Sequence, residues 1–293
     1  MKTIVGISNF SFKEHHFNSL SAIEGAFDEL KKFRKLFKQA SLDFCMGRDI
    51  AENKYYGLSL LEQVNNITLG DRGLEGLFRS KLHQIYFRFF NINYTTDELI
   101  ARASDPISEH SAANFILYVP SIDFYRDAST FKNADGLCAH YEDILGKYPV
   151  DSDSYYQRLI THFDKLMYHP NCRDSLDNVE GGFYNYSIAF TECIKALNDL
   201  SPTKIATTKE RLSNIRAKTN YECTEEGKSS TKFNFTFSHD GRELSLTCQF
   251  HMKPSKSNNP GDTSYYQKRI YFGFFPLEDQ EWRIAVASIG PHL

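Results

Sequence analysis

The chain has 293 residues and a formal net charge of −3, from 34 Lys and Arg against 37 Asp and Glu. This balance excludes a protein that is basic over its whole surface, so any nucleic-acid contact would need a local basic patch. A chain of this length buries enough surface to fold without disulfides or metals.

The six cysteines are scattered and never form a CxxC pair. This pattern predicts reduced thiols and no zinc site. The first residues lack the apolar core of a signal peptide, and no apolar run reaches the roughly 18 residues that span a bilayer. Since no cofactor fingerprint occurs either, we expect a cytoplasmic protein with no cofactor, no metal and no membrane partner.

The first residues predict a β-α-β opening. Residues 3–7 and 42–46 are short apolar runs typical of buried strands. Between them, Ser21 and Glu24 have the spacing of a capping box for a helix over residues 22–40. The basic residues of this helix lie toward its C-terminal end, where they favour the helix dipole; a nucleic-acid or partner surface is the alternative. They are Lys31, Lys32, Arg34, Lys35 and Lys38.

Helical spacing of apolar residues dominates the middle of the chain. Prolines at 106, 170 and 202 end several of these segments. Residues 115–120 are a strand candidate, with the end of a buried helix as the alternative. The predicted helices cover residues 57–64, 74–90, 95–105, 134–145, 154–167, 183–200 and 208–218.

The last 61 residues alternate apolar and polar side chains, as half-buried strands do. The runs are residues 233–237, 243–252, 269–275 and 282–289, with turn residues SHDG at 238–241. The sequence therefore predicts an α+β fold in which a mixed, mostly helical N-terminal body precedes a C-terminal four-stranded antiparallel sheet. We expect a body over residues 1–205, a short helix and linker over 206–232, and an antiparallel β unit over 233–293.

Strand parity predicts a polar face on this sheet. In the run 243–252 the apolar side chains share one face, which places His251 on the other and extends to Lys253. The same argument places Arg269 and Tyr271 on the polar face of the following strand, with His292 arriving near the chain end. These residues are candidates for a site on one surface of the sheet.

The residue types suit cleavage of RNA by attack of a 2′-hydroxyl, which needs a base, an acid and positive charge near the phosphate. His251 or His292 would exchange protons. Lys253 and Arg269 would hold the phosphate, and Tyr271 would stack on a base. A solvated or partner-binding sheet face explains the same residues.

The order strand, RIYF, turn, strand, IGPH in residues 233–293 resembles the C-terminal half of RelE/ParE-superfamily toxins. The resemblance covers about a fifth of the chain. It implies an RNA-cleaving or gyrase-poisoning activity, with Lys253, Arg269 and Tyr271 as RNA contacts and His292 as an acid or base. The basic helix 208–218 echoes the helices that precede the sheet in such toxins, which makes Lys209 and Arg211 candidate nucleic-acid contacts. The chain departs from the family in its length and in its long loop, residues 254–264.

Two function classes follow. The first is a bacterial toxin-like or anti-phage (antiviral) defence effector that acts on RNA or the ribosome, as a metal-independent ribonuclease if it is an enzyme. The second is a non-catalytic interaction subunit that binds a partner protein or nucleic acid in a defence-type complex. Convergence of the candidate residues in one cleft would favour the enzyme, and a spread along a flat surface would favour the subunit.

Overall fold

The computed structural model describes the whole chain except residues 38, 109, 122–126, 206, 228–230, 255–257 and 259–266, and the side chain of Tyr55. Lys38 of the basic cluster, most of the loop 254–264 and part of the expected linker lie outside the described residues. The fold is mixed α/β. Its contacts divide the chain into a first unit, Met1–Tyr141, and a second, Glu142–Leu293, rather than near residues 206–232. Within the described ranges, no helix is long and apolar enough to cross a bilayer.

The first unit is built on a parallel sheet with strand order β2-β1-β5-β6. The predicted β-α-β opening is confirmed, because β1 and β2 pair in parallel and a helix lies between them in the chain. A short antiparallel pair, β3–β4, stands apart. The strands are β1 (Lys2–Ile7), β2 (Leu42–Met46), β3 (Lys54–Tyr55), β4 (Leu58–Ser59), β5 (Ala113–Tyr118) and β6 (Thr130–Phe131).

The helices of the first unit follow the predicted order with shifted ends. The first helix begins at Leu20, and Ser19 caps it by accepting a hydrogen bond from the Ala22 N–H at 3.1 Å. The expected capping box at Ser21 is therefore wrong, because the helix starts before it. The helices are α1 (Leu20–Leu36), α2 (Leu60–Ile67), α3 (Arg72–Lys81), α4 (Thr96–Ser104) and α5 (Ala134–Lys147), and the unit boundary falls within the last.

The helix predicted over residues 74–90 is not uniform. α3 leads into a π turn over Leu82–Tyr86 and a 3-10 turn over Phe87–Phe89. Four of its buried side chains recur every four residues, at Phe78, Leu82, Tyr86 and Phe90, and Phe87 is buried beside them. In an α-helix this spacing drifts by about 40° per step. The π turn has more residues per turn, so it offsets this drift. The buried side chains therefore stay against the core along the whole segment.

The second unit holds the C-terminal sheet, which is not the four-stranded antiparallel sheet that the sequence predicts. Its order is β7-β13-β12-β11-β8, with β7 parallel to β13 and the other pairs antiparallel. The elements are α6 (Ser152–His162), β7 (Met167–Tyr168), α7 (Asn171–Asp177), α8 (Ser187–Leu200), α9 (Thr208–Lys218), β8 (Glu222–Glu225), β9 (Asn234–His239), β10 (Arg242–Thr247), β11 (Phe250–Lys253), β12 (Lys268–Pro276) and β13 (Trp282–Pro291).

Two local differences produce this change. The polar run expected as a linker contains β8, which pairs with β11 at one edge of the sheet. The run predicted as one strand over residues 243–252 is interrupted at Cys248 and Gln249. Among the described strands β10 therefore pairs with β9 alone, while β11 joins the larger sheet. The β9–β10 hairpin packs its phenylalanines in one cluster with Tyr271, Phe275 and Ala285. That side of the sheet is therefore buried and is not a solvated polar face.

Candidate functional site

One carboxylate oxygen gathers three of the predicted site residues. Glu226 follows β8, and its N–H donates to the Gln249 carbonyl at 3.0 Å, which fixes its position beside β11. The Tyr271 hydroxyl donates to Glu226 Oε1 at 3.0 Å. His251 Nδ1 and His292 Nε2 each lie 3.4 Å from the same oxygen. We call Glu226, His251, Tyr271 and His292 the Glu226 cluster.

His251 is held between its two neighbouring strands. It lies opposite Tyr271 on β12 and Thr224 on β8, and its Nε2 is 3.0 Å from the Thr224 hydroxyl. The side chain is buried, at 3% exposure. Burial lowers the pKa of His251 to about 4; the Glu226 carboxylate opposes this shift. The ring is therefore neutral near pH 7, unlike the proton carrier that the sequence predicts.

Tyr271 and His292 mark the inner and outer ends of the cluster. Tyr271 is fully buried, its ring 5.5 Å from that of Phe233. Burial and the bond to Glu226 raise the pKa of Tyr271, so its hydroxyl stays a donor. The His292 side chain is 39% exposed, and its Nδ1–H donates to the Leu293 main-chain oxygen at 2.8 Å. Of the predicted catalytic residues in the cluster, His292 is therefore the one that a solvent-borne substrate reaches.

The two expected phosphate-binding cations lie beside the cluster but have protein partners. Lys253 Nζ is 3.1 Å from a carboxylate oxygen of Glu222, its pairing partner on β8. Arg269 donates from Nη1 to its neighbouring main-chain carbonyl, at Lys268, at 2.7 Å. Both positive charges also disfavour protonation of His251. The contacts of Lys253 and Arg269 therefore support an electrostatic effect on the cluster better than a role as free phosphate-binding groups.

The remaining nucleic-acid candidates lie on α9 and differ in exposure. Arg211 is 3% exposed, with its guanidinium 4.2 Å from the Trp282 ring centroid and 4.8 Å from that of Phe274. Its Nε donates to the Ile205 carbonyl at 2.7 Å. Lys209 is exposed. A nucleic-acid contact fits the position of Lys209 but not the buried position of Arg211. In the described part of the chain, no group of three or more His, Cys, Asp or Glu side chains is placed to hold a metal ion.

A second candidate surface lies in the first unit, on the helical segment that follows α2. Large apolar side chains there are 38–55% exposed. Three of them, Leu77, Ile85 and Phe89, each come one residue before a member of the buried stripe and form a parallel exposed stripe. We call this surface the apolar face; it consists of Leu74, Leu77, Ile85 and Phe89 on the helical segment and Ile92 three residues after its end.

Basic residues alternate with those of the apolar face along the chain. Residues 72–92 contain four Arg or Lys and one acidic residue, Glu75. Arg79 pairs with Glu75 at 2.8 Å, and Lys81 pairs with Glu24 at 2.7 Å. Arg72 and Arg88 are exposed and make no ion pair with any described residue. The segment therefore combines exposed apolar side chains with two exposed cations that pair with no described residue.

Comparisons with protein-family models, curated proteins and solved structures find no match. The resemblance of residues 233–293 to RelE/ParE toxins stays a prediction.

Sequence reasoning missed two parts of these sites. Glu226 lies in a polar run that the sequence gives no reason to separate from a linker, and only the pairing of β8 with β11 brings it to His251. The apolar face had a visible signal, because Leu77, Ile85 and Phe89 recur at multiples of four residues. That signal is indistinguishable from core packing until exposure is known.

Proposed function

We propose that this protein is an interaction subunit that docks an acidic amphipathic helix of a partner protein on the apolar face. The observation that carries the proposal is the exposure of four large apolar side chains on one helical segment and of a fifth, Ile92, three residues after its end. Contiguous exposed apolar surface on a folded protein typically marks a binding site. Anchors at helical spacing suit a partner helix that lays its own apolar stripe against them.

Charge favours an acidic protein over a nucleic acid as the occupant. A nucleic-acid surface places its cations centrally, along the phosphate backbone. Here the large exposed side chains are apolar, and Arg72 and Arg88, which pair with no described residue, lie next to them in the chain. Protein–protein interfaces are enriched in aromatic side chains and Arg and depleted of acidic residues. The π turn adds support, since π turns within helices occur frequently at functional sites.

Fluorescence anisotropy with a designed peptide tests this proposal. The probe is a labelled helix with leucines at i, i+3, i+4 and i+7 and glutamates elsewhere, beside a peptide of the same composition in scrambled order. We expect the helix to bind and the scrambled peptide not to bind. The double variant Leu77→Ser/Ile85→Ser should weaken binding at least about tenfold, because both anchors are lost. Leu69→Ser is the matched control, since Leu69 is 94% exposed and lies outside the apolar face.

The charge requirement has its own comparison. Arg72→Glu/Arg88→Glu should weaken binding of the acidic peptide. Binding of a version with lysines in place of the glutamates should be unchanged or tighter. Equal binding of both peptides to the wild type would show that charge does not select the partner. Binding of single-stranded RNA instead of the peptide, lost in the same charge variant, would replace the protein partner by a nucleic acid.

The Glu226 cluster supports a second candidate function, acid–base chemistry on RNA. Its support is the convergence of His251, Tyr271 and His292 on one carboxylate oxygen. The exposed His292 would exchange the proton, and the buried pair would hold Glu226 beside it. A role in bacterial anti-phage defence belongs to either candidate only through the toxin resemblance.

Incubation of the purified protein with labelled RNA in the presence of a chelator tests this second candidate. We expect products that end in 2′,3′-cyclic phosphate, and their loss in His292→Ala and Glu226→Gln. His239→Ala is the control, because His239 lies on β9 outside the cluster. Intact RNA with the wild-type protein would refute the ribonuclease and leave the apolar-face proposal untouched.

A further inference from the structure

A cavity opens at the carboxyl ends of β1 and β5 in the first unit, and none of its lining residues belongs to the two sites described above. Its volume is about 250 Å³. Its lining combines an aromatic and aliphatic floor with charged side chains from α1 and from the turn before it. The lining residues that the argument uses are Lys13, His16, Glu29, Lys32, Phe33 and Tyr118.

The strand order explains why a cavity forms there. β2 lies on one side of β1 and β5 on the other. The connection after β1 therefore runs toward one edge of the sheet, and the connection that leads to β5 runs back toward the other edge. In open parallel sheets such a reversal leaves a crevice at the carboxyl ends of the two central strands, and ligands bind in it. The Ser11 hydroxyl donates to the Tyr118 carbonyl at 2.7 Å and ties the segment after β1 to the end of β5.

The floor of the cavity suits a flat ring. Phe33 of α1 stacks on Tyr118, with ring centroids 5.0 Å apart and planes inclined by 18°. Leu30, one turn earlier in α1, is buried beside them. A cavity of about 150 Å³ lined by apolar side chains suffices to bind benzene. A space of 250 Å³ therefore accommodates one aromatic ring with a polar substituent.

The charged side chains favour an anion. Lys13 and Lys32 are exposed and make no hydrogen bond or ion pair from their ammonium groups to any described residue. His16 Nδ1 accepts the Lys13 main-chain N–H at 3.1 Å, so the neutral ring carries its hydrogen on Nε2 as a further donor. Burial, followed by the neighbouring His15, lowers the pKa of His16. Two ammonium groups and one N–H donor match the oxygens of a phosphate.

We propose that this cavity binds a small phosphomonoester that carries one aromatic ring, the class to which pyrimidine nucleoside monophosphates belong. The ring lies on Phe33 and Tyr118, and the phosphate lies between Lys13 and Lys32 with the His16 N–H. Glu29 accepts a hydrogen bond from a hydroxyl or amine of the ligand. None of these residues belongs to the apolar face or to the Glu226 cluster, so this binding is independent of both proposed functions.

Isothermal titration calorimetry of the full chain with uridine monophosphate, uridine and inorganic phosphate tests the proposal. We expect the monophosphate to bind at least about tenfold more tightly than either part alone. Lys13→Ala and Lys32→Ala should each weaken it about tenfold or more, because a charge-assisted contact to the phosphate is lost. Lys35→Ala is the control, since Lys35 is exposed on the same helix and outside the cavity lining.

Three results would overturn the proposal. They are no binding of the monophosphate to the wild-type protein, binding that survives Lys13→Ala/Lys32→Ala, and binding of inorganic phosphate as tight as that of the monophosphate. The last would identify a non-specific anion site. The exposed positions of both lysines make it straightforward to verify that the variants keep the wild-type circular dichroism spectrum.

Discussion

His251 and Tyr271 lie directly opposite each other on β11 and β12 and approach the same oxygen of Glu226. Their rings are 5.4 Å apart, and both side chains are buried. The Glu226 side chain is 22% exposed, and its partly buried carboxylate still needs donors, because removing a charge from water is costly unless it is paired. Tyr271 supplies a hydrogen bond, whereas His251 Nδ1 makes none with any described residue. The stability of the second unit therefore depends on the protonation state of His251.

The first prediction concerns the pH dependence of folding. His251 stays neutral in the folded protein down to about pH 4, but in the unfolded chain it gains its proton near pH 6.5. The unfolded state thus binds more protons in this window, and stability falls as the pH decreases from 6.5 to 4. The loss is up to about 3 kcal/mol.

Urea unfolding of the wild type and His251→Gln at several pH values checks this expectation. The difference in free energy of unfolding between the two proteins should shrink as the pH falls through the window. A difference that is constant from pH 7 to pH 4 would contradict a neutral buried histidine. Comparing the two proteins removes the contribution of the other titrating groups.

The second prediction concerns the hydroxyl of Tyr271. Tyr271→Phe keeps the ring but removes the 3.0 Å hydrogen bond to Glu226, and we expect a loss of about 1–2 kcal/mol of stability. Because the two side chains share one interaction, Glu226→Gln should cost less in the Tyr271→Phe background than in the wild type. Guanidinium unfolding of the four proteins measures this coupling. Additive losses would show that the hydroxyl and the carboxylate stabilise the fold independently.

The third prediction separates Arg211 from Lys209. Arg211 fills a buried space between Trp282 and Phe274, so Arg211→Ala should destabilise the protein by about 2–4 kcal/mol. Lys209→Ala should change stability by less than about 0.5 kcal/mol, because the side chain is exposed. Trp282 is the single tryptophan of the chain, so its fluorescence reports both measurements. Nucleic-acid binding that Arg211→Ala abolishes without any loss of stability would contradict the structural role.

The fourth prediction uses two glycines with opposite surroundings. Gly290 in β13 has φ +157°, and a Cβ there would overlap the main-chain oxygen of Ser175. Gly290→Ala should therefore cost about 3 kcal/mol. Gly25 lies in α1, where a Cβ would meet no described atom beyond its own stretch of helix within 4 Å, and Gly25→Ala should stabilise by about 0.5–1 kcal/mol. Thermal unfolding of both variants checks the signs; equal effects would contradict the close approach at Gly290.

Strands with continuous burial were predictable from the sequence, and strands defined by their partners were not. β2 has the predicted bounds, because a short, mostly apolar run of this length is typical of a buried strand. β7 has two residues and β8 is polar, so neither carries an alternating or apolar signal. The interruption at Cys248 was invisible, since the alternation of apolar residues continues unchanged from β10 into β11.

The candidate site was predicted in part for the same reason. Parity placed His251 beside Tyr271, and the pairing of β11 with β12 confirms that neighbourhood. Parity also assigned the pair to a solvated face, which is wrong, because the β9–β10 hairpin belongs to the cluster that buries Tyr271. Which layer covers a sheet depends on contacts between residues far apart in the chain. The alternation of apolar and polar residues within one strand does not show which layer covers the sheet.

The π turn over Leu82–Tyr86 holds one residue more than an α turn. Deleting Gln84 would let the turn relax to an α-helix and leave Phe89 facing as it does now. Relaxation of the turn at unchanged chain length would instead rotate each residue beyond it by roughly 100° relative to α3, and Phe89 would leave the exposed stripe. The apolar face therefore tolerates the loss of one residue from the turn, whereas substitutions that favour α over π geometry remodel it without touching an exposed apolar side chain.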